Sequence, residues 1–429
     1  MDRIVAETLA DTSRQRKLQT LGTFCGFSAA LWLAGAEAPT KLVTVSVSPL
    51  VISFMMVFGA FISRWSLPAL IRGTRDTFTD TRHVPHLFIW GVMAGCLWAI
   101  GNTLTIFAVR DIGLSLAFPL WNSNSLIGIL WGTLLFRELH GAGWRRKLGV
   151  VGGAMVIFVG AILISRASAS QGGHTPARGI AAAIGAGLMF GTMYISYRKA
   201  YITGMNPLTF LTYFTFGEMT MVTIIAIVFL GGVGPLWHEL TASRSILFWP
   251  LLGGFMWVVG DLLQNYATKY VGISRGIPLS NTNQLWGLIW AIAVFSELHG
   301  RSAGIYAEVI GGSVLMAAGA AAIALSSAPE GEYSCWKEAA QREAERYKIP
   351  ASYVMARMQG CEVDSDRSGR TWVDWLLVAG ASCVFGVLGG MAGIPHMEIH
   401  MGWLFVLSLA MVVVVVIGGI ALFRVTKFT

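Results

Sequence analysis

The chain has 429 residues, of which 55% are hydrophobic and only 13% charged, with a mean hydropathy of +0.62. A soluble domain carries about 25% charged residues, so a soluble enzyme and a nucleic-acid-binding domain are both excluded as classes. The net charge of +8 is then a matter of loop bias, and five scattered cysteines without Cys/His clustering point to free thiols and no resident metal.

Taken in order, the first 17 residues, MDRIVAETLADTSRQRK, are polar and lack the apolar core of a signal peptide. Residues 1–18 are read as a cytoplasmic tail. Apolar runs of about 18 residues or more then recur, the mark of a polytopic all-α membrane protein. They predict twelve spans, at 19–36, 43–63, 86–108, 112–135, 148–165, 179–197, 206–231, 247–267, 271–295, 304–326, 373–392 and 402–423. The stretch 66–82 reads as a short polar loop. The stretch 327–372 breaks the composition with EAAQREAERYK, a surface helix in a cytoplasmic linker. Two further spans, 373–429, follow it. The first of these holds Gly386 and Gly390, and Gly389 and Gly393. Small residues four apart let helices approach closely in lipid, as ordinary packing first and as a homodimer contact second. Of the 31 lysines and arginines, 24 fall on one side of this topology and 6 on the other. The excess predicts both termini on the cytoplasmic side of a plasma membrane, the inner membrane in a bacterium.

An internal repeat organises the first three quarters. Aligned without gaps, 95–141 and 254–300 share 19 identities in 47 positions. The pairs include Gly95/Gly254, Trp98/Trp257, Gly101/Gly260, Pro119/Pro278, Asn122/Asn281, Asn124/Asn283 and Trp131/Trp290. Shared apolar composition does not produce that many matched Pro, Asn, Trp and Gly. The unit holds five spans, 19–165 and then 178–326, and an odd number makes the second copy enter the membrane inverted. Inverted repeats are a property of secondary transporters, whose sites lie near the midplane between the halves.

Ten helices in two inverted five-helix repeats resemble the drug/metabolite transporter superfamily. The pattern W..GN.....A....G.S.A.PLWN..SL.G...G...F.E, from Trp98 to Glu138, is similar to its glucose/ribose porter branch of sugar permeases. The resemblance covers roughly residues 21–326. It implies a ten-helix core, here with two extra C-terminal helices, and a sugar as the transported solute.

Several polar residues inside the spans are candidates to carry the chemistry. A proline in a helix removes one backbone hydrogen bond, so Pro119 frees the Ser115 carbonyl and Pro278 that of Ser274. The asparagines follow within a turn. Asn122 and Asn124, and likewise Asn281 and Asn283, are two apart, about 200° around a helix, so one of each pair is expected to bind solute and the other to bond across helices. Trp98 and Asn102 are four apart on one face, with Trp257 and Asp261 as their counterparts. An indole beside an amide or carboxylate suits a sugar; interfacial belting of tryptophan is the bland alternative. Gln264 and Gln284 add polar groups to spans 8 and 9. A carboxylate inside a span is costly and marks function by default, which singles out Glu218 and Asp261 as proton-coupling groups. The alternative for Asp261 is an ion pair with Arg275, and Asp111 is expected to meet Arg110 or water. Glu138, His140, Glu297 and His299 lie at span ends and read as structural.

No GxxxxGK[ST] is present, so ATP does not drive the process directly. The sequence therefore reads as a secondary active permease of a small polar solute, a sugar, working by alternating access, with the proton as coupling ion and no cofactor. The alternatives are an exporter of another metabolite or of a drug-like cation and, outside transport, a membrane-embedded enzyme or a non-transporting sensor.

Overall fold

The computed structural model describes residues 2–428, apart from 44–46, 76, 78–83, 113–116, 118–119, 137–142, 169–175, 297–298, 301, 327–328, 360, 362–368 and 394–398. Every regular element among the described residues is helical. In a bilayer, backbone groups must bond within their own segment, and a helix does this without partners.

The elements are α1 (Asp2–Lys41), α2 (Pro49–Ile71), α3 (Phe88–Ile112), α4 (Asn124–Phe136), α5 (Trp144–Ser168), α6 (Pro176–Ile202) and α7 (Pro207–Leu230). They continue with α8 (Val233–Ala242), α9 (Phe248–Val271), α10 (Ile273–Ser280), α11 (Asn283–Ile289), α12 (Ala303–Leu325), α13 (Pro329–Tyr347), α14 (Ala351–Met358), α15 (Trp372–Gly390) and α16 (Met401–Thr426). Among the described residues, eight helices are long and apolar enough to cross a membrane, which makes this an integral, multi-pass membrane protein.

The packing pairs come in matched sets. Helix α1 lies along α9 as α3 lies along α6; α2 packs on α9 as α3 packs on α7; α5 pairs with α12. The α2–α9 and α3–α7 crossings both run through glycine. A Cβ on Gly254 would sit 2.0 Å from the Met56 carbonyl oxygen, and one on Gly95 would sit 2.1 Å from that of Phe214. These two glycines are counterparts in the repeat.

Four sequence expectations are corrected. The polar loop drawn from residue 66 begins later, because α2 continues through Pro68 to Ile71. The ninth span, drawn as one helix, is α10 and α11 interrupted at Asn281–Thr282, with the last turn widened to a π-helix over Trp290–Val294. Helix α10 carries Pro278 within it and stops only at Ser280. The fourth span is likewise broken, by a turn at Asn122–Ser123 before α4. Finally, a short helix, α8, with Trp237 exposed, stands between the seventh and eighth spans. Ser115, Pro119, Glu138, His140 and Glu297 lie outside the described residues; His299 is exposed.

The stretch read as a surface helix is a longer helix, exposed along most of its length with one narrow face turned inward. Helix α13 turns Ala340 and Ala344 inward, and Ile349, Tyr353 and Val354 of the following turn and α14 join the apolar cluster that holds Tyr197 and Tyr201 of α6. Lys199 bridges Glu343 at 2.5 Å, and the His86 ring stacks on Tyr347 at 3.7 Å. Helices α15 and α16 sit at the periphery, α15 against α2 and α9, α16 mainly against α1. Gly386 and Gly390 of α15 have open space where a Cβ would lie, whereas Gly389 faces the Phe248 ring.

Candidate transport site

The centre of the bundle is a charge cluster. Arg64, in the last third of α2, is fully buried. Its Nη1 donates to Asp261 Oδ2 of α9 at 2.7 Å and its Nε to Glu218 Oε2 of α7 at 3.1 Å. The guanidinium lies 4.0 Å from the Phe214 ring centroid and 5.5 Å from that of Trp98. Tyr197 of α6 donates to Asp261 Oδ1 at 2.9 Å, and Asn265, one turn along α9, donates to the same oxygen at 3.1 Å. Tyr201 in turn donates to Asn265 Oδ1. One cation thus joins two carboxylates from different helices, and with all three ionised the cluster carries one surplus negative charge.

Removing charges from water is costly unless each is paired and bonded, and this cluster is not fully bonded. Arg64 Nη2, Glu218 Oε1 and the indole N–H groups of Trp98 and Trp257 are buried without a hydrogen-bond partner among the described residues. The two indoles, one from each half, meet with ring centroids 5.7 Å apart. Four buried polar atoms without partners among the described residues, in and beside a cluster flanked by aromatic rings, make this the candidate site.

A second cluster lies where α4 and α10–α11 are broken. Asn122 donates to Asn283 Oδ1 at 3.4 Å, and Asn281 donates to Asn124 Oδ1, to Ser125 Oγ and to the Asn122 carbonyl. The expectation that each pair must split between two faces is overturned. The helix breaks between its two asparagines, so the 100° step no longer applies and all four side chains meet across the halves. Gln264 links the clusters, donating from α9 to Ser280 Oγ at 2.8 Å and to Tyr194. Gln284 is buried beside the break. Asn102 stands apart from Trp98: it donates to Ser53 of α2 at 3.1 Å.

Replacing Asn281 by leucine removes the donor to three buried acceptors, and a buried group left unsatisfied costs about 1–3 kcal/mol. Asn281→Leu is expected to lower Tm in detergent clearly more than Asn122→Leu, which gives up one long side-chain bond. Equal shifts would mean the quartet is not the unit described.

The sequence did not find Arg64, which it counted among the loop cations. The signal was present: two carboxylates inside spans require a cation nearby, and Arg64 precedes the true end of α2 by two turns. Arg275 is not that cation; from α10 it donates its Nε–H to the Val271 carbonyl at the end of α9, 3.0 Å away. Nor does Asp111 pair with Arg110. It accepts both arms of Arg178 from α6, at 2.6 and 2.7 Å.

The multi-pass bundle, with charged and aromatic groups from both halves at its centre, has the organisation of a membrane transporter rather than an enzyme. The sequence matches the family described as "Sugar transport protein" over residues 56–230, a stretch that contains Arg64, Trp98 and Glu218. A protein of Listeria innocua named for sugar uptake is 24% identical over 247 residues, covering 56% of this chain and 80% of that one. The glucose uptake protein GlcU of Staphylococcus xylosus is 23% identical over 227 residues, covering 52% and 74%. The chain is thus similar to the sugar permeases of the glucose/ribose porter branch.

Proposed function

We propose that the chain is a secondary transporter that moves a sugar through alternating access, with a proton as coupling ion. The observation that carries this reading is the Arg64–Glu218–Asp261 cluster. One proton on either carboxylate balances its charge, and the unpartnered atoms around it offer a sugar an acceptor, cationic N–H and two indole N–H donors. Binding of the proton and of the solute would therefore act on the same bonds. The matched helix pairs and the two matched helix breaks supply what alternating access requires, two halves able to exchange conformations. In this reading the halves are 19–165 and 178–326, both termini are cytoplasmic, and α13–α14 lie on that side. Homologues named for sugar and glucose uptake support the solute class. An exporter of drug-like cations is disfavoured, because Arg64 already occupies the position over the Phe214 ring that a bound cation would take.

The test is uptake of a panel of labelled sugars into proteoliposomes, with and without an inward proton gradient, beside Asp261→Asn and Glu218→Gln. The expected result is one sugar accumulated only with the gradient, and accumulation abolished in one of the two variants while exchange of that sugar across the membrane persists. Equilibration indifferent to the gradient would remove the proton from the reading. No sugar moved by a folded protein would remove the sugar.

A further inference from the structure

A groove of ≈ 780 Å³ runs between the N-terminal part of α1 and the C-terminal part of α16, away from the central cluster. Its two ends differ in chemistry. One end presents Arg16 and Lys17 with Ser13 and Thr20; the other is walled by Leu21 and Phe24 of α1 and by Ile417 and Ala421 of α16. Arg16 and Lys17 are exposed, and neither has an ion-pair partner among the described residues. From Arg16 to Phe24 is eight residues, or about 12 Å along a helix. Over that distance the wall passes from cationic to wholly apolar. The helices converge below: Gly418 comes against Phe24, and the Trp32 indole donates to the Met411 carbonyl at 3.0 Å.

We infer that this groove binds one anionic phospholipid, its phosphate between Arg16 and Lys17 and an acyl chain along Phe24, Ile417 and Ala421. Charge complementarity selects the occupant. Two exposed cations without an ion-pair partner among the described residues, at the level where a membrane helix turns polar, attract an anionic headgroup, and the apolar half excludes a ligand without a chain. A zwitterionic lipid would bring a second positive group against the same cations. The lipid has a structural task. Helix α16 lies outside the ten-helix pattern and touches the bundle mainly through α1, so a molecule wedged between the two fastens the added helix to the core.

The full chain, purified in detergent and stripped of lipid, would be titrated with phosphatidylglycerol, phosphatidylcholine or glycerol 3-phosphate. Native mass spectrometry counts bound molecules and thermal unfolding reads their effect. The expected result is one phosphatidylglycerol retained per chain with a raised Tm, and neither effect from the other two compounds. Arg16→Gln/Lys17→Gln should bind it about thirtyfold more weakly, the weight of two cations near an anionic headgroup. Ala421→Trp, which fills the apolar half and leaves both cations, should bind it more weakly too. Equal retention of phosphatidylcholine overturns the inference, as does a Tm shift from glycerol 3-phosphate alone. Binding unchanged in both variants overturns it as well.

Discussion

Arg64→Met is expected to abolish uptake and to cost about 3–5 kcal/mol of stability, the consequence of removing one partner from a buried ion pair. Methionine has nearly the length of the arginine stem and can lie on the Phe214 and Trp98 rings, so the loss is of charge and not of packing. What remains is Glu218 and Asp261, both buried, facing a site without its cation. The triple variant Arg64→Met/Glu218→Gln/Asp261→Asn separates two roles of the cluster. Replacing a whole buried ionic group by neutral residues is often neutral for stability, so the triple variant is expected to recover most of the lost Tm. It is not expected to recover uptake, because nothing is left to exchange a proton or to break and remake the bridge. The checks are thermal unfolding in detergent and sugar uptake in proteoliposomes. Arg64→Met with unaltered uptake would remove Arg64 from the mechanism; recovery of uptake in the triple variant would reduce the cluster to a structural ion pair.

Much of this site was legible in the sequence because it is local or repeated. Carboxylates in apolar runs stand out by cost, and Trp98/Trp257 and the four asparagines stand out by recurring at a fixed offset. A disturbance of the ninth span was legible too, in Pro278 followed by Asn281 and Asn283, although α10 runs through Pro278 and breaks only at Asn281–Thr282. Its consequence was not, since the angular argument assumed a helix that continues. Arg64 was hidden by its surroundings: FISRWSLPAL mixes Ser63, Trp65, Ser66 and Pro68, the composition of a span end, although the helix runs on to Ile71. Arg178 and Asp111 lie 67 residues apart, and no periodicity connects them. The inward face of α13 was obscured by its charges, because alanines at positions 340 and 344 leave little hydrophobic signal among glutamates and arginines.

Glycine packing sets the geometry on which the charge cluster depends, and this gives the second large effect. At Gly254 a methyl group would meet the Met56 carbonyl oxygen at 2.0 Å and the Ala60 nitrogen at 2.7 Å; at Gly95 it would meet the Phe214 oxygen at 2.1 Å and the Glu218 nitrogen at 2.6 Å. These are backbone atoms, so no rotamer relieves the contact and the helices must separate. The separation acts on the site directly. Gly254 lies on the helix that carries Asp261, pressed against the helix that carries Arg64, and Gly95 is pressed against Glu218 itself. Gly254→Ala and Gly95→Ala are each expected to cost on the order of 1–3 kcal/mol, as overpacking does, and to reduce uptake beyond what the remaining folded fraction explains. Gly386→Ala, where nothing lies within 4 Å, is the control. There alanine only improves helix propensity, by up to about 1 kcal/mol, and Tm should hold or rise. If Gly254→Ala and Gly386→Ala unfold at the same temperature and transport equally, the α2–α9 crossing is looser than the 2.0 Å approach requires, and Arg64 and Asp261 are not held by it.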